Sequence, residues 1–328
     1  MQDARAVGIT TTVPVEILFA AGFTPLDLNN AFITAPDPLA MVEEAERAGF
    51  PRSMCAWVKG IYAAVRRRGI DTVIGVVQGD CSNTHALMEI LEAEGVRVVD
   101  FAFPFKREAE LLDAQLDHLA RAFETTREAA EAQKRRLDAV RATVHEIDRR
   151  TWQTDQVGGA ENFEWTINCS DFRGDPDRYG AEASAFLAEA SARPAQPGGP
   201  RLALLGVPPI CSDLFARLAE MGARVVLNEM PRQFAMPGDS KSLREQYLRY
   251  TYPYDVFYRL EDIGRECERR RVDGAVHYVQ SFCYRQIQDR LIRERLGLPI
   301  LTLECDRPGP LDAACRTRLE AFIEMLAR

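Results

Sequence analysis

No stretch of the 328-residue chain stays apolar for the roughly 20 residues that a helix needs to cross a bilayer. The opening residues, MQDARAVGITTTVPVEILFAAG, have no basic segment leading into an apolar core. No secretory signal is therefore expected, no membrane partner, and a cytoplasmic location. A basic footprint is also missing. The formal net charge is −8, which excludes the electrostatics of a nucleic-acid binder and of a protein that docks on anionic lipid. No Gly-x-Gly-x-x-Gly follows a strand-like run, so a dinucleotide site has no support. There is no P-loop, so ATP hydrolysis by this chain is not expected, and no Gly-x-Ser-x-Gly nucleophile elbow. Cys-x-x-Cys pairs and Cys/His pairs at zinc-finger spacing are absent, which excludes a local zinc module. The four histidines, His85, His118, His145 and His277, are scattered. His277 lies inside an apolar run and reads as a hydrogen-bonded core residue, whereas His85 stands near Cys81 and could support it.

What is present suffices for about two domains. Hydrophobic residues make up 46% of the chain, enough for a sizeable core. The first third alternates strand and helix signals. Val15 to Phe19 is a short apolar run. LAMVEEAERAGF reads as a helix closed by Gly49, and CAWVKGIYAAVRRRG as one closed by Gly69. DTVIGVVQ reads as a strand buried on both faces and VRVVDFAFP as the next strand, with HALMEILEAEG as the helix between them. From Glu108 to about Arg150 the pattern changes to long charged helices, with Leu137, Val140, Val144 and Ile147 forming one packing seam and most of the charges a solvated face. ARPAQPGGPR is a linker. The last third returns to strand–helix alternation: LALLGV, RVVLNE, DGAVHYVQ and PILTLE are strands. Ser212 or Asp213 caps the helix after Cys211. The expected architecture is α/β: two Rossmann-like (flavodoxin-like) parallel-sheet domains with a helical insertion between them. The expected boundaries are 1–107, 108–199 and 200–328.

Eight cysteines are many for a chain with no disulfide framework expected. Cys81, Cys211, Cys283 and Cys305 all fall just past strand-like runs, the edge of a parallel sheet where ligands bind. A helix starting there favours the thiolate through its dipole. Each could be a small buried hydrophobe or a ligand in a shared metal or cluster site. The loops QGDCSNT and QSFCYRQ are polar and fit the second description better. Cys169, Cys267 and Cys315 lack this placement.

The segments VPVEILFAAGFTPLDL, SMCAWVKG, VVQGDCSNT, GVPPICSDL, VVLNEMPRQFAMP and HYVQSFCYRQIQDRLIRERLGLPILTLECDRPG, in that order, resemble the 2-hydroxyacyl-CoA dehydratase family, which includes benzoyl-CoA reductase subunits and double-cubane-cluster reductases. The resemblance spans nearly the whole chain. It implies that Cys55, Cys81 and Cys283 hold a 4Fe-4S cluster between two α/β domains, with one iron open to a ligand. It further implies removal of water from a (R)-2-hydroxyacyl-CoA through a ketyl radical, after one electron arrives from an ATP-dependent iron–sulfur activator protein. The partners implied are that activator, an acyl-CoA substrate and a related second subunit or a second copy of the chain. A benzoyl-CoA-reductase-like or double-cubane reductase, with an eight-iron cluster, is the alternative, as is a non-catalytic electron-relay subunit. Under the double-cubane alternative Cys211 and Cys305 become ligands. Glu16, in a Pro-x-Glu motif before an apolar stretch, is the acid/base candidate, since burial raises a carboxyl pKa. A structural pairing of Glu16 with an arginine is the other reading. Glu229 and Arg232 are expected to line a cleft or to pair with each other.

Overall fold

The computed structural model describes residues 5–328. It contains two parallel four-stranded sheets. β1 (Ala6–Ile9), β2 (Thr24–Asp27), β3 (Thr72–Gln78) and β4 (Arg97–Ala102) form the first, in the order β2-β1-β3-β4. β5 (Arg201–Gly206), β6 (Arg224–Asn228), β7 (Gly274–Val279) and β8 (Ile300–Glu304) form the second, in the order β6-β5-β7-β8. Both orders read 2-1-3-4 within their own sheet, the doubly wound arrangement of a flavodoxin-like domain. The chain is therefore α/β with two Rossmann-like domains, and the segment between β4 and β5 is helical.

Six of the eight strands coincide with apolar runs legible in the sequence. β1 and β2 do not: at four residues each they are too short to show a period. The apolar run Val15–Phe19 becomes a helix, Val15–Ala20, entered through Pro14 at its N-cap. Helix ends follow local chemistry. Gly69, at φ 61°, adopts the left-handed turn that ends Ala56–Arg68, a conformation costly for a residue with a Cβ. Asp27, Asp37, Ser242 and Asp312 each cap a helix with a side-chain oxygen. Asp213 precedes the helix Leu214–Glu220 without capping it; its carboxylate accepts instead from the amide of Leu311 at 2.7 Å.

The chain divides into two compact units. The first comprises residues 1–142, 168–181 and 236–255, and the second 143–167, 182–235 and 256–328. The helix Arg127–Trp152 gives its first part to one unit and its last part to the other. Along it Leu137, Val144 and Ile147 are fully buried and Val140 partly so. The charges of this helix are not all on a solvated face. Lys134 and Arg141 are buried too, because each meets oxygen acceptors inside the first unit. In the second unit the core gathers Ala203, Leu205, Val226, Val256, Leu260, Ile263 and Ala275, with Cys267 among them as an ordinary apolar neighbour.

Candidate functional site

Each sheet directs particular residues to its carboxyl edge. A crossover helix in a parallel sheet runs antiparallel to the strands, so its N-terminus lies at the edge where strands end. Cys55 is the N-cap of the helix Ala56–Arg68, which leads into β3. Cys81 follows β3 and is the N-cap of Ser82–Ala93. Both therefore stand at the carboxyl edge of the first sheet, where the strand order reverses between β1 and β3. Cys283 follows β7, the equivalent strand of the second sheet, and is the N-cap of Tyr284–Ile287. All three are half-buried, and none of their side chains caps its helix. Cys55 and Cys81 belong to the first unit and Cys283 to the second.

The loops that carry two of these thiols are conformationally demanding. Gly79 sits at φ 102°, and a Cβ there would lie 2.8 Å from Cβ of Pro253 and 3.0 Å from its carbonyl oxygen. Only glycine fits. Phe282 adopts φ 60° immediately before Cys283 and is 79% exposed. An exposed aromatic residue held in the left-handed region stores about 1–2 kcal/mol of backbone strain.

The thiolate expected at the start of Ser82–Ala93 is not what the surroundings of Cys81 favour. Burial and the adjacent Asp80 carboxylate push its pKa up, against hydrogen bonds at Thr84 and Asn83 that pull it down. The Cys81 Sγ lies 3.6 Å from Oγ1 of Thr84, whose hydroxyl donates to Asp80 at 3.1 Å. Desolvation of the charged form outweighs the helix dipole here. Thiolate at this position therefore requires a cation. Among the described residues no three His, Cys, Asp or Glu side chains are gathered into a group that could hold a metal ion. What the three positions offer is thiol donors, half-buried, at the ends of equivalent strands or at the start of a crossover helix. Such donors fit an iron–sulfur cluster rather than a hard oxygen-ligated ion.

Glu16 is fully buried in the first unit. Its Oε1 accepts from Arg141 Nη2 at 2.8 Å and Gln246 Nε2 at 2.7 Å. Tyr247 Oη lies 2.8 Å from Oε2 and 2.9 Å from the carbonyl of Val13, with one hydrogen to give. The raised pKa expected from burial is reversed. Desolvation pushes the carboxyl up, but the Arg141 guanidinium and the hydrogen bonds hold it below the ordinary value. The arginine pairing weighed from the sequence is present, and its partner is Arg141.

Glu229 and Arg232 do not pair with each other. Arg259 donates to both oxygens of Glu229, at 2.8 and 2.7 Å, and Glu229 Oε2 also accepts from the amide of Gly206 at 3.3 Å. Burial raises the Glu229 pKa, and Arg259 more than reverses that. Arg232 donates to Asp262 at 2.7 Å and lies 3.4 Å from Glu266. His277 is buried in β7 with Nδ1 2.7 Å from Asp289, and desolvation keeps it neutral. This is the hydrogen-bonded core histidine read from the sequence. His85 is exposed.

One acidic pair has no signal in the sequence. Asp27 and Asp171 are both buried in the first unit, and the amide of Asp27 donates to Asp171 Oδ2 at 2.8 Å. Desolvation and the neighbouring Asp27 carboxylate push Asp171 up to about 7. The two lie 144 positions apart, so only folding brings them together.

Residues 10–326 match the family described as 2-hydroxyglutaryl-CoA dehydratase, D-component. The chain belongs to that family. No curated protein matches the sequence. The match takes in Glu16, Cys55, Cys81 and Cys283, and every strand except β1. No helix among the described residues is long and apolar enough to cross a membrane. Membership indicates a dehydratase-type enzyme subunit that works with a partner component.

Proposed function

We propose that this chain is the iron–sulfur subunit of a cytoplasmic enzyme that removes water from a (R)-2-hydroxyacyl-CoA. The observation that carries the reading is the family match together with three half-buried thiols, Cys55, Cys81 and Cys283, at helix N-caps on sheet carboxyl edges. These three would hold a 4Fe-4S cluster. When bound, the cluster would supply low-potential one-electron chemistry for the acyl-CoA thioester, the electron coming from an ATP-dependent iron–sulfur activator protein.

The chain's own residues supply position and electrostatics. Gly79 and the strained Phe282 fix the turns that present Cys81 and Cys283. The rise in the Cys81 pKa keeps that thiol protonated until a cation arrives, so loading releases protons. Glu16 is held ionised and can accept a proton but not supply one. In this reading any acid–base part for it is that of a base, weakened by Arg141. Its first duty is to neutralise that buried arginine. The second subunit, or a second copy of the chain, completes the enzyme.

The test is anaerobic purification followed by iron and acid-labile sulfide analysis of the wild type and of Cys55→Ala, Cys81→Ala and Cys283→Ala. About four irons per chain, lost in each variant, is the expected result. Perturbation of the cluster's electron paramagnetic resonance signal by acyl-CoA would then separate a substrate-binding subunit from an electron relay. About eight irons would favour a double-cubane reductase. No iron after reconstitution would remove the proposal.

A further inference from the structure

The second unit holds a pair of thiols in contact that the proposed cluster does not use. Cys305 directly follows β8, and Cys315 lies in the first turn of the closing helix Ala313–Leu326. Their sulfurs are 3.8 Å apart, although the residues stand 10 positions apart in the chain. Cys305 is half-buried and Cys315 is buried, so a reagent in solution reaches the first more readily than the second.

The fold sets the two residues opposite each other. The Cys305 amide donates to the carbonyl of Val279 in β7 at 3.3 Å, and its carbonyl accepts from the Tyr278 hydroxyl at 2.8 Å. Cys315 donates its amide to the capping Asp312 at 2.7 Å and its thiol to the carbonyl of Glu304 at 3.5 Å. The one hydrogen of the Cys315 thiol is thus engaged by Glu304, and its sulfur meets Cys305 with a lone pair. A disulfide bond is about 2.05 Å long, which leaves about 1.8 Å to close. One rotamer step of a cysteine moves its sulfur farther than that, so side-chain rotation suffices with the anchored backbones in place.

A bond between these sulfurs would close residues 306–314 into a ring. That segment lies against the loop after β5: the amide of Ser212 donates to the Gly309 carbonyl at 2.9 Å, and the amide of Leu311 to Asp213 at 2.7 Å. The bond would tie the start of the closing helix to the end of β8. The neighbouring Cys211 thiol and burial push the Cys305 pKa far up, and burial and Cys305 push Cys315 up to about 12. A weakly acidic thiol is a rare nucleophile at neutral pH and a poor leaving group. A disulfide between two such thiols forms slowly and, once made, resists reduction.

We propose that Cys305 and Cys315 are an oxidisable pair, converted to an intrachain disulfide by a low-molecular-weight disulfide of the glutathione type. Cys305, the more accessible, reacts first. It gives up its proton, bonds to one sulfur of the reagent and expels the other half as a thiol. Cys315 then gives up its proton and attacks the Cys305 sulfur, and the second half of the reagent leaves. Two electrons pass from the protein thiols to the reagent, and both protons end on the two thiols released. The product is a latch between β8 and the closing helix rather than a rapid sensor.

The test treats the full chain, purified anaerobically, with oxidised glutathione in mildly alkaline buffer until reaction is complete. Free thiols are then alkylated, and the chain is digested with trypsin and read by mass spectrometry. Trypsin cuts after Arg295 and Arg316 and passes the Arg307–Pro308 bond, so both cysteines stay in peptide 296–316, and Cys211 falls in peptide 202–217. Each thiol is thus read in its own peptide, whether or not iron is bound. The expected wild-type peptide 296–316 is closed to alkylation and lighter than its dithiol form by two hydrogens. Dithiothreitol restores the dithiol, and reduced glutathione does not. In Cys315→Ser the same peptide should carry glutathione on Cys305. In Cys305→Ser the buried Cys315 should take up glutathione more slowly by about tenfold or more. Should Cys315→Ser fail to fold, the wild-type peptide and Cys305→Ser decide. A wild-type peptide that keeps both thiols or holds a lasting adduct, a crosslink to peptide 202–217 in place of the internal bond, ready reversal by reduced glutathione, or equally fast uptake in Cys305→Ser would each overturn the proposal.

Discussion

Replacing Arg141 by methionine keeps an unbranched apolar stem, though a shorter one, and deletes the cation that faces Glu16. The wild-type pair is deeply buried: the Arg141 side chain is 2% exposed and that of Glu16 0%. Removing one partner of such a pair costs about 3–5 kcal/mol, because the other charge stays desolvated. Gln246 and Tyr247 still donate to the carboxylate, which places the loss toward the lower end of that range. For a unit of this size it corresponds to a fall in Tm of about 6–20 °C. The sign of the pH dependence is the sharper check. In the wild type the folded-state pKa of Glu16 lies below the ordinary carboxyl value of 4.5. The stability from this group is thus complete above that value and lost as pH falls through the folded pKa. In Arg141→Met burial acts without the guanidinium, and the folded pKa rises above the unfolded one. The deficit relative to wild type must then shrink as pH is lowered from 8 to 5, by up to about 1.4 kcal/mol per pH unit below the variant's carboxyl pKa. Trp57 lies in the first unit, and Trp152 and Trp165 in the second. Urea unfolding followed by Trp57 fluorescence in a Trp152→Phe, Trp165→Phe background therefore reads the unit concerned. A deficit under 1 kcal/mol, or one independent of pH, would refute the reasoning.

Other expectations are of the same kind. Gly79→Ala should lower stability by about 1–3 kcal/mol through its positive φ and the contact with Pro253, measured by chemical denaturation. Phe282→Gly should do the opposite, leaving stability unchanged or raising it by up to about 1 kcal/mol, since glycine adopts the same φ without strain. Folded Asp171 binds its proton up to about pH 7 and the unfolded side chain only to the ordinary value of 3.8. This group's contribution therefore falls as pH rises between those values, and Asp171→Asn should flatten the corresponding slope in a Tm-against-pH series. Glu16→Gln should lower stability while leaving the iron content at its wild-type value, because Glu16 is not among the proposed ligands; anaerobic iron analysis of the variant checks this.

The sequence by itself determined the class of fold. Runs such as TVIGVVQ and GAVHYV are rich in β-branched and apolar residues with no two-residue alternation, the pattern of a strand covered on both faces. It also determined where Cys81, Cys283 and Cys305 fall along those strands, because a strand's end is set by the polar residues that follow it. The carboxyl-edge placement then follows from parallel pairing alone. Tertiary structure decided the rest. β1 and β2 are too short to announce themselves, and they form because β3 offers an edge on which β1 pairs and β1 one for β2. The Val15 run becomes a helix because it must turn back toward β2. Most of all, the charges were decided by partners distant in sequence. Burial alone predicts a raised pKa for Glu16, yet Arg141 stands 125 positions away and reverses it. Asp171 is unremarked until Asp27 shares its desolvated surroundings. A carboxylate's pKa depends on the charge within a few ångströms of it, and distance along the chain carries no record of that.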